Sequence, residues 1–160
     1  MRRFLIIVAV FFFSQFNSNC QLKSIVGTVY KEISDIPMLR EYKIEEGIAI
    51  DEDESGKISF ILINNGLNKK IICSEYLRPQ SRRILAIQEI GQLSKNSKVI
   101  MSRCRKAQKD NGYIIAIVET TQSAYFKKVK KAWIFNKVPQ SFSEIPTKGI
   151  DCINDEFDNL

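Results

Sequence analysis

Apolar and polar positions along this chain fall into short blocks separated by turn residues, the pattern of strands rather than helices. Lys57 to Asn64 is β-branched and aromatic throughout and predicts a strand, as does the return run from Lys69 to Tyr76. Asn65-Gly66 between them is a strong turn signal. Tyr113 to Glu119 is the clearest buried strand, with a turn expected at Asp110-Asn111-Gly112 before it and another over Thr120 to Ser123 after it. Ile25 to Tyr30, Lys98 to Ser102 and Ser141 to Ile145 read as shorter extended pieces.

Three stretches are less simple. Ser34-Asp35-Ile36-Pro37 resembles a helix start, predicting a short helix to about Tyr42. Ile84 to Leu93 fits a strand or a helix capped by Ser81. In Tyr125 to Asn136, Phe126, Val129 and Trp133 make a helical stripe, while Tyr125, Val129, Trp133 and Phe135 share one strand parity. The β-type run that follows favours strand. The expected fold class is therefore α+β but β-dominated: an antiparallel meander sheet with one or two short helices, after an N-terminal signal helix.

The signal helix is expected from the first twenty residues. Arg2 and Arg3 precede an apolar run from Phe4 to Phe13 and a polar stretch to Cys20. That order is the one a secretory signal peptide uses, and the apolar core is shorter than the ~20 residues needed to cross a bilayer as a helix. Residues 1–20 then form the signal peptide and 21–160 a single exported domain, periplasmic or secreted. Ser18-Asn19-Cys20 before Gln21 suits ordinary cleavage. The rival is lipoprotein processing, in which Cys20 is acylated and the protein becomes an outer-membrane-associated lipoprotein. Asn17 stands where the lipobox asks for an aliphatic residue, so simple cleavage is favoured.

Charge sharpens this picture. The chain has 24 basic and 18 acidic residues and no histidine. Residues 21–60 hold 5 basic and 9 acidic groups, 61–137 hold 16 and 4, and 138–160 hold 1 and 5. A basic middle between acidic ends reads first as neutralisation within the fold, and second as a surface for an anionic partner. For an exported chain that partner is an envelope protein or an anionic envelope component, not nucleic acid. A membrane enters only if Cys20 is acylated.

The lack of histidine excludes Ser-His-Asp and Cys-His catalysis. Paired carboxylates could still serve a hydrolase, but the acids lie in acidic runs rather than singly among apolar residues, so no catalytic residue is assigned. Asp51-Glu52-Asp53-Glu54-Ser55-Gly56 places oxygens at Asp51, Asp53 and Ser55 with glycine sixth, like the start of a calcium loop. Position twelve is Leu62, which lacks the closing carboxylate, so the alternative is an acidic hairpin turn at Ser55-Gly56. Ca²⁺ is the only cofactor the sequence raises. Trp133 with its aromatic neighbours is a ligand platform or, more simply, core.

An exported chain can keep disulfides. Cys104 lies among Arg103, Arg105 and Lys106, and Cys152 among Asp151, Asp155 and Glu156. Opposite charge draws those segments together and favours a Cys104–Cys152 bridge, worth roughly 3–4 kcal/mol by loop entropy. Cys73–Cys104 is the alternative pairing, with Cys73 otherwise a buried small hydrophobe.

The stretch from Gly112 to Asn154 contains Ala132-Trp133, Ile145-Pro146 and Gly149-Ile150-Asp151-Cys152-Ile153-Asn154. It resembles the tail of small uncharacterised exported proteins of Gram-negative bacteria such as the Bacteroidota, with an Ala-Trp strand and a Gly-x-x-Cys-x-Asn ending. The resemblance implies a structural role for Cys152 and no reaction. The readings that follow are a non-enzymatic binding or structural module of the envelope, a lipid-anchored inhibitor or immunity-type protein, and a carboxylate hydrolase.

Overall fold

The computed structural model describes residues 24–50, 58–78 and 80–157. The signal segment and Cys20, together with Asp51, Asp53 and Ser55, lie outside the described residues. Among the described residues the chain forms β1 (Val29–Tyr30), β2 (Lys43–Ala49), β3 (Ile58–Asn64), β4 (Lys69–Arg78), β5 (Ser81–Gly91), β6 (Ser97–Met101), β7 (Cys104–Lys106), β8 (Lys109–Asn111), β9 (Ile114–Glu119), β10 (Tyr125–Phe126), β11 (Val129–Asn136), β12 (Ser141–Ile145) and β13 (Ile150–Ile153). All the pairings are antiparallel. The β-dominated expectation therefore holds. The expected short helix is two three-residue 3₁₀ turns, Ile33–Asp35 and Pro37–Leu39. Pro37 starts the second turn, since it has no N–H to donate to the first.

The strands make three sheets, ordered β1-β5-β4-β3-β2, β12-β11-β9-β6 and β10-β13-β7-β8. The first two pack face to face. Phe60, Leu62, Ile71, Cys73 and Leu85 from the first sheet meet Val99, Met101, Ile115, Ile117, Trp133 and Phe135 from the second. Phe60 sits edge-on to Phe135 at 6.1 Å and beside Phe142 at 5.7 Å, the offset geometry aromatic rings favour. Trp133 is 5% exposed, so it is core rather than a platform.

Each of these sheets also buries its second face. Behind the first, Ile61, Ile63, Ile72 and Ile84 pack under Ile25, Tyr30, Ile33, Ile36 and Leu39 of the N-terminal segment. Behind the second, Ile100, Ile114, Ala116, Val118 and Ala132 pack under Phe126, Cys104, Ile150 and Cys152. The molecule is thus four layers deep. This explains why β3 and β9 read as unbroken apolar runs: side chains alternate between faces, and both faces are dry.

Irregularities set the register. At the β4–β5 shift between Cys73 and Ser74, Leu85 is the extra residue, so Leu85 and Ala86 both join the inter-sheet core while Ile84 faces the opposite way. The Tyr125–Asn136 run is two strands in two sheets, with a further shift between Val129 and Lys131. Single-strand parity therefore fails: Val129 packs in the outer core and Trp133 in the inner one. The ambiguous 84–93 stretch lies mostly in β5. Asp110 and Asn111 belong to β8, and the expected turn falls at Gly112-Tyr113, where the Tyr113 N–H donates to Asn111 Oδ1 at 3.0 Å; the turn between β7 and β8 is Ala107-Gln108, both at positive φ (51° and 64°).

Candidate functional site

The third sheet is made from excursions out of the second: the β7–β8 hairpin, β10 and β13. Cys104 and Cys152 face each other across β7 and β13 and form a disulfide spanning a sequence separation of 48. Cys73 is buried in the inter-sheet core and takes no part in this bridge. One residue along, the Arg105 guanidinium donates two hydrogen bonds to the Asp151 carboxylate, at 2.8 and 2.9 Å, and lies 3.9 Å from the centre of the Tyr125 ring. The carboxylate raises the Arg105 pKa above its usual value. Disulfide formation is the chemistry of an oxidising compartment outside the cytoplasm. Among the described residues no helix is long and apolar enough to cross a membrane.

The acidic C-terminal segment neutralises one part of the basic middle, as the charge pattern foretold. Asp151 pairs with Arg105, Asp155 with Arg103, and Glu156 with Lys98 at 2.6 Å. From the acidic N-terminal region, Glu45 pairs with Lys69. Partial burial pushes the Glu45 carboxyl up, but hydrogen bonds from Lys69 and Asn64 outweigh it and hold it below the usual range.

A second part of the basic middle is not neutralised in this way. At one end of the second sheet, backbone bonds from Thr120 N to Asn96 O (3.1 Å) and Glu119 N to Lys128 O (2.9 Å) bring together residues 94–97, 119–121 and 127–131. These segments carry five lysines and one carboxylate. Glu119 accepts from Lys128 at 2.9 Å and lies 3.8 Å from Lys130. The Lys128 hydrogen bond holds its carboxyl below the usual range. Lys130 Nζ also donates to Ser94 Oγ (3.1 Å) and Ser97 Oγ (2.8 Å), and the two hydroxyls bond each other at 2.7 Å.

A Ser–Ser–Lys cluster has the parts of a nucleophile and its base. A lysine acts as a base only when desolvation lowers its pKa. Lys130 is 38% exposed and faces the Glu119 carboxylate at 3.8 Å, a solvated, ion-paired setting rather than the dry pocket such a base needs. What the cluster offers is hydrogen-bond donors and positive charge.

Ser97 also lines a cleft of about 240 Å³ between the two sheets, with Leu62, Leu93 and Val99 as its apolar lining and Glu45, Glu46 and Lys69 on the facing side. The Asp51, Asp53 and Ser55 oxygens of the calcium reading belong to the connection between β2 and β3, outside the described residues. Among the described residues no cluster of three or more His, Cys, Asp or Glu side chains is placed to hold a metal.

Sequence reasoning found the disulfide and the docking of the acidic tail. It did not find the lysine–serine end. The Lys127-Lys128 and Lys130-Lys131 doublets are visible in the chain, but Ser94, Lys95 and Ser97 reach them only through the pairing of β6, β9 and β11. Compared with known proteins, the chain matches no family model, no curated protein and no solved structure.

Proposed function

We propose that this chain is an exported, non-enzymatic binding module of the cell envelope, periplasmic or secreted, that holds an anionic envelope component. The observation that carries this reading is the uneven neutralisation of the basic middle. Lys98, Arg103 and Arg105 are matched by the acidic tail, while the segments that hold Lys95, Lys127, Lys128, Lys130 and Lys131 bring with them one carboxylate, Glu119, which pairs with Lys128 and Lys130. Unbalanced like charge on a folded surface is costly to the fold and attracts a counter-charged partner. The Cys104–Cys152 bridge supports export.

Export also leaves room for the lipid-anchored reading through Cys20, in which the same surface serves an envelope-tethered inhibitor or immunity-type protein. Mass spectrometry of the N-terminus of the purified protein separates the two, because an acylated Cys20 replaces free release by tethering. The binding reading is tested by co-sedimentation with isolated envelope fractions at low and high salt. Retention at low salt and release at high salt are expected, because salt screens an exposed electrostatic contact. A protein that stays in the supernatant of every fraction at low salt would overturn it.

A further inference from the structure

The lysine end also says what kind of anion it suits. We infer that its ligand is an acidic glycan, a hydroxyl-rich chain carrying carboxylates, bound across Lys127, Lys128, Lys130 and Lys131 with Ser94 and Ser97 reading sugar hydroxyls. This rests on the binding reading above and names its ligand class.

Three observations favour a glycan over other polyanions. First, the donors are mixed. Lys130 bridges two serine hydroxyls, and Glu119 is an acceptor in the midst of the lysines. A carboxylate there accepts hydrogen bonds from sugar hydroxyls, which a bare phosphate chain lacks, while the lysines meet the acid groups. Second, the segments 94–97, 119–121 and 127–131 hold no aromatic residue on which bases could stack. Trp133, the neighbour of Lys131 at 6.0 Å, is buried in the core, whereas single-stranded nucleic acid is held by exposed aromatic platforms. Third, no large exposed hydrophobic side chain falls in 94–97, 119–121 or 127–131, so the patch has nothing to insert into a lipid surface. The basic groups are lysines throughout these segments, suited to a series of point contacts along a flexible acid-bearing chain rather than to bidentate capture of one group.

The test titrates the purified protein with an oligogalacturonate, its methyl-esterified neutral form, anionic phospholipid vesicles and a single-stranded oligonucleotide. The oligogalacturonate is expected to bind most tightly. Replacing Lys127, Lys128, Lys130 and Lys131 together by Gln lowers its affinity by about tenfold or more, the scale of a site losing most of its field. Ser94→Ala with Ser97→Ala lowers it by a smaller factor without changing the salt dependence. Lys106→Gln with Lys109→Gln, exposed lysines of the third sheet, leaves it unchanged.

Equal binding of the esterified form, tighter binding of vesicles or oligonucleotide, or full affinity in the four-lysine variant would each overturn the glycan assignment. The two levels separate in the envelope co-sedimentation assay. If the four-lysine variant no longer sediments but oligogalacturonate does not bind, the ligand class is wrong and the anionic surface stands. If that variant sediments like the original, the surface itself is wrong. Melting curves of each variant confirm that the fold is kept.

Discussion

The two inner sheets face the same problem and solve it differently. Each must keep water from its second face. The first sheet is covered by about one turn's worth of local chain at a time, the N-terminal segment with its two 3₁₀ turns, which presses Ile33, Ile36 and Leu39 onto Ile61, Ile63 and Ile72. This cover is held by apolar contact and a few polar fasteners. Tyr30 and Ser74 share a buried hydrogen bond at 2.8 Å, and the buried Lys70 ammonium lies 5.5 Å from the Tyr42 ring while pairing with Glu89. The second sheet is covered by another sheet of two- to four-residue strands, too short to be stable alone. That cover carries the disulfide, the Arg105–Asp151 pair and the tail ion pairs. A cover with continuous apolar anchors manages without a covalent tie, whereas one assembled from distant fragments is stapled.

The comparison can be broken in graded steps. Replacing both Cys104 and Cys152 by Ser should cost about 4 kcal/mol, the loop-entropy value for a closure of this length. Denaturant unfolding followed by Trp133 fluorescence measures it. Hydrogen exchange should show β7, β10 and β13 losing protection first. If those amides stay as protected as before, the staple is not what holds the third sheet.

Leu39→Ala should cost about 3 kcal/mol by emptying a fully buried site. Its effect on exchange should concentrate at Gly27 and Ile84, whose backbone groups fasten the N-terminal segment to β5. Equal loosening of the third sheet would show that the two covers are not independent.

Tyr30→Phe should cost about 1 kcal/mol, because it leaves the buried Ser74 hydroxyl without its partner. Burial raises the Tyr30 phenol above its ordinary value, with the Ser74 hydrogen bond and Arg82 opposing. The folded state therefore favours the protonated phenol. Its stability is intact below the ordinary tyrosine pKa of about 10 and is lost as pH rises through the raised value. Melting curves across that range should be flatter at the alkaline end for the Phe variant.

Ala107→Asn with Gln108→Gly should stabilise by up to about 1 kcal/mol, since two non-glycine residues now sit at positive φ in the β7–β8 turn. An unchanged midpoint would mean that the hairpin does not limit the stability of the third sheet. Smallest of all, Asp155→Asn should shift stability by less than about 1 kcal/mol, because Arg103 and Asp155 are both about half exposed. A larger loss that persists in high salt would give the tail a packing role that its charge does not explain.

Several elements were legible in the chain. β3, β4 and β9 came from β-branched runs bounded by turn residues, and Cys104–Cys152 from opposite charge around the two cysteines. Others were not. β2 is an edge strand with nearly every residue exposed, so it has no apolar alternation to read. β7 and β13 exist because they pair with one another, and strands this short have no signature of their own. The Ser94–Ser97–Lys130 cluster joins residues more than thirty positions apart, and only the ladder from β6 through β9 to β11 brings them into reach.

From the sequence alone came the β-dominated class, Cys104–Cys152 as the favoured of two pairings, and the folding back of the acidic tail onto basic partners. Those follow from local side-chain period, thiol supply and net charge, quantities written along the chain. Only the tertiary structure shows that the runs stack four layers deep, that Trp133 is core, and that Lys130 meets Glu119, Ser94 and Ser97. Those depend on which strands pair, and pairing is settled by burying both faces of two sheets at once, a condition no short window of sequence contains.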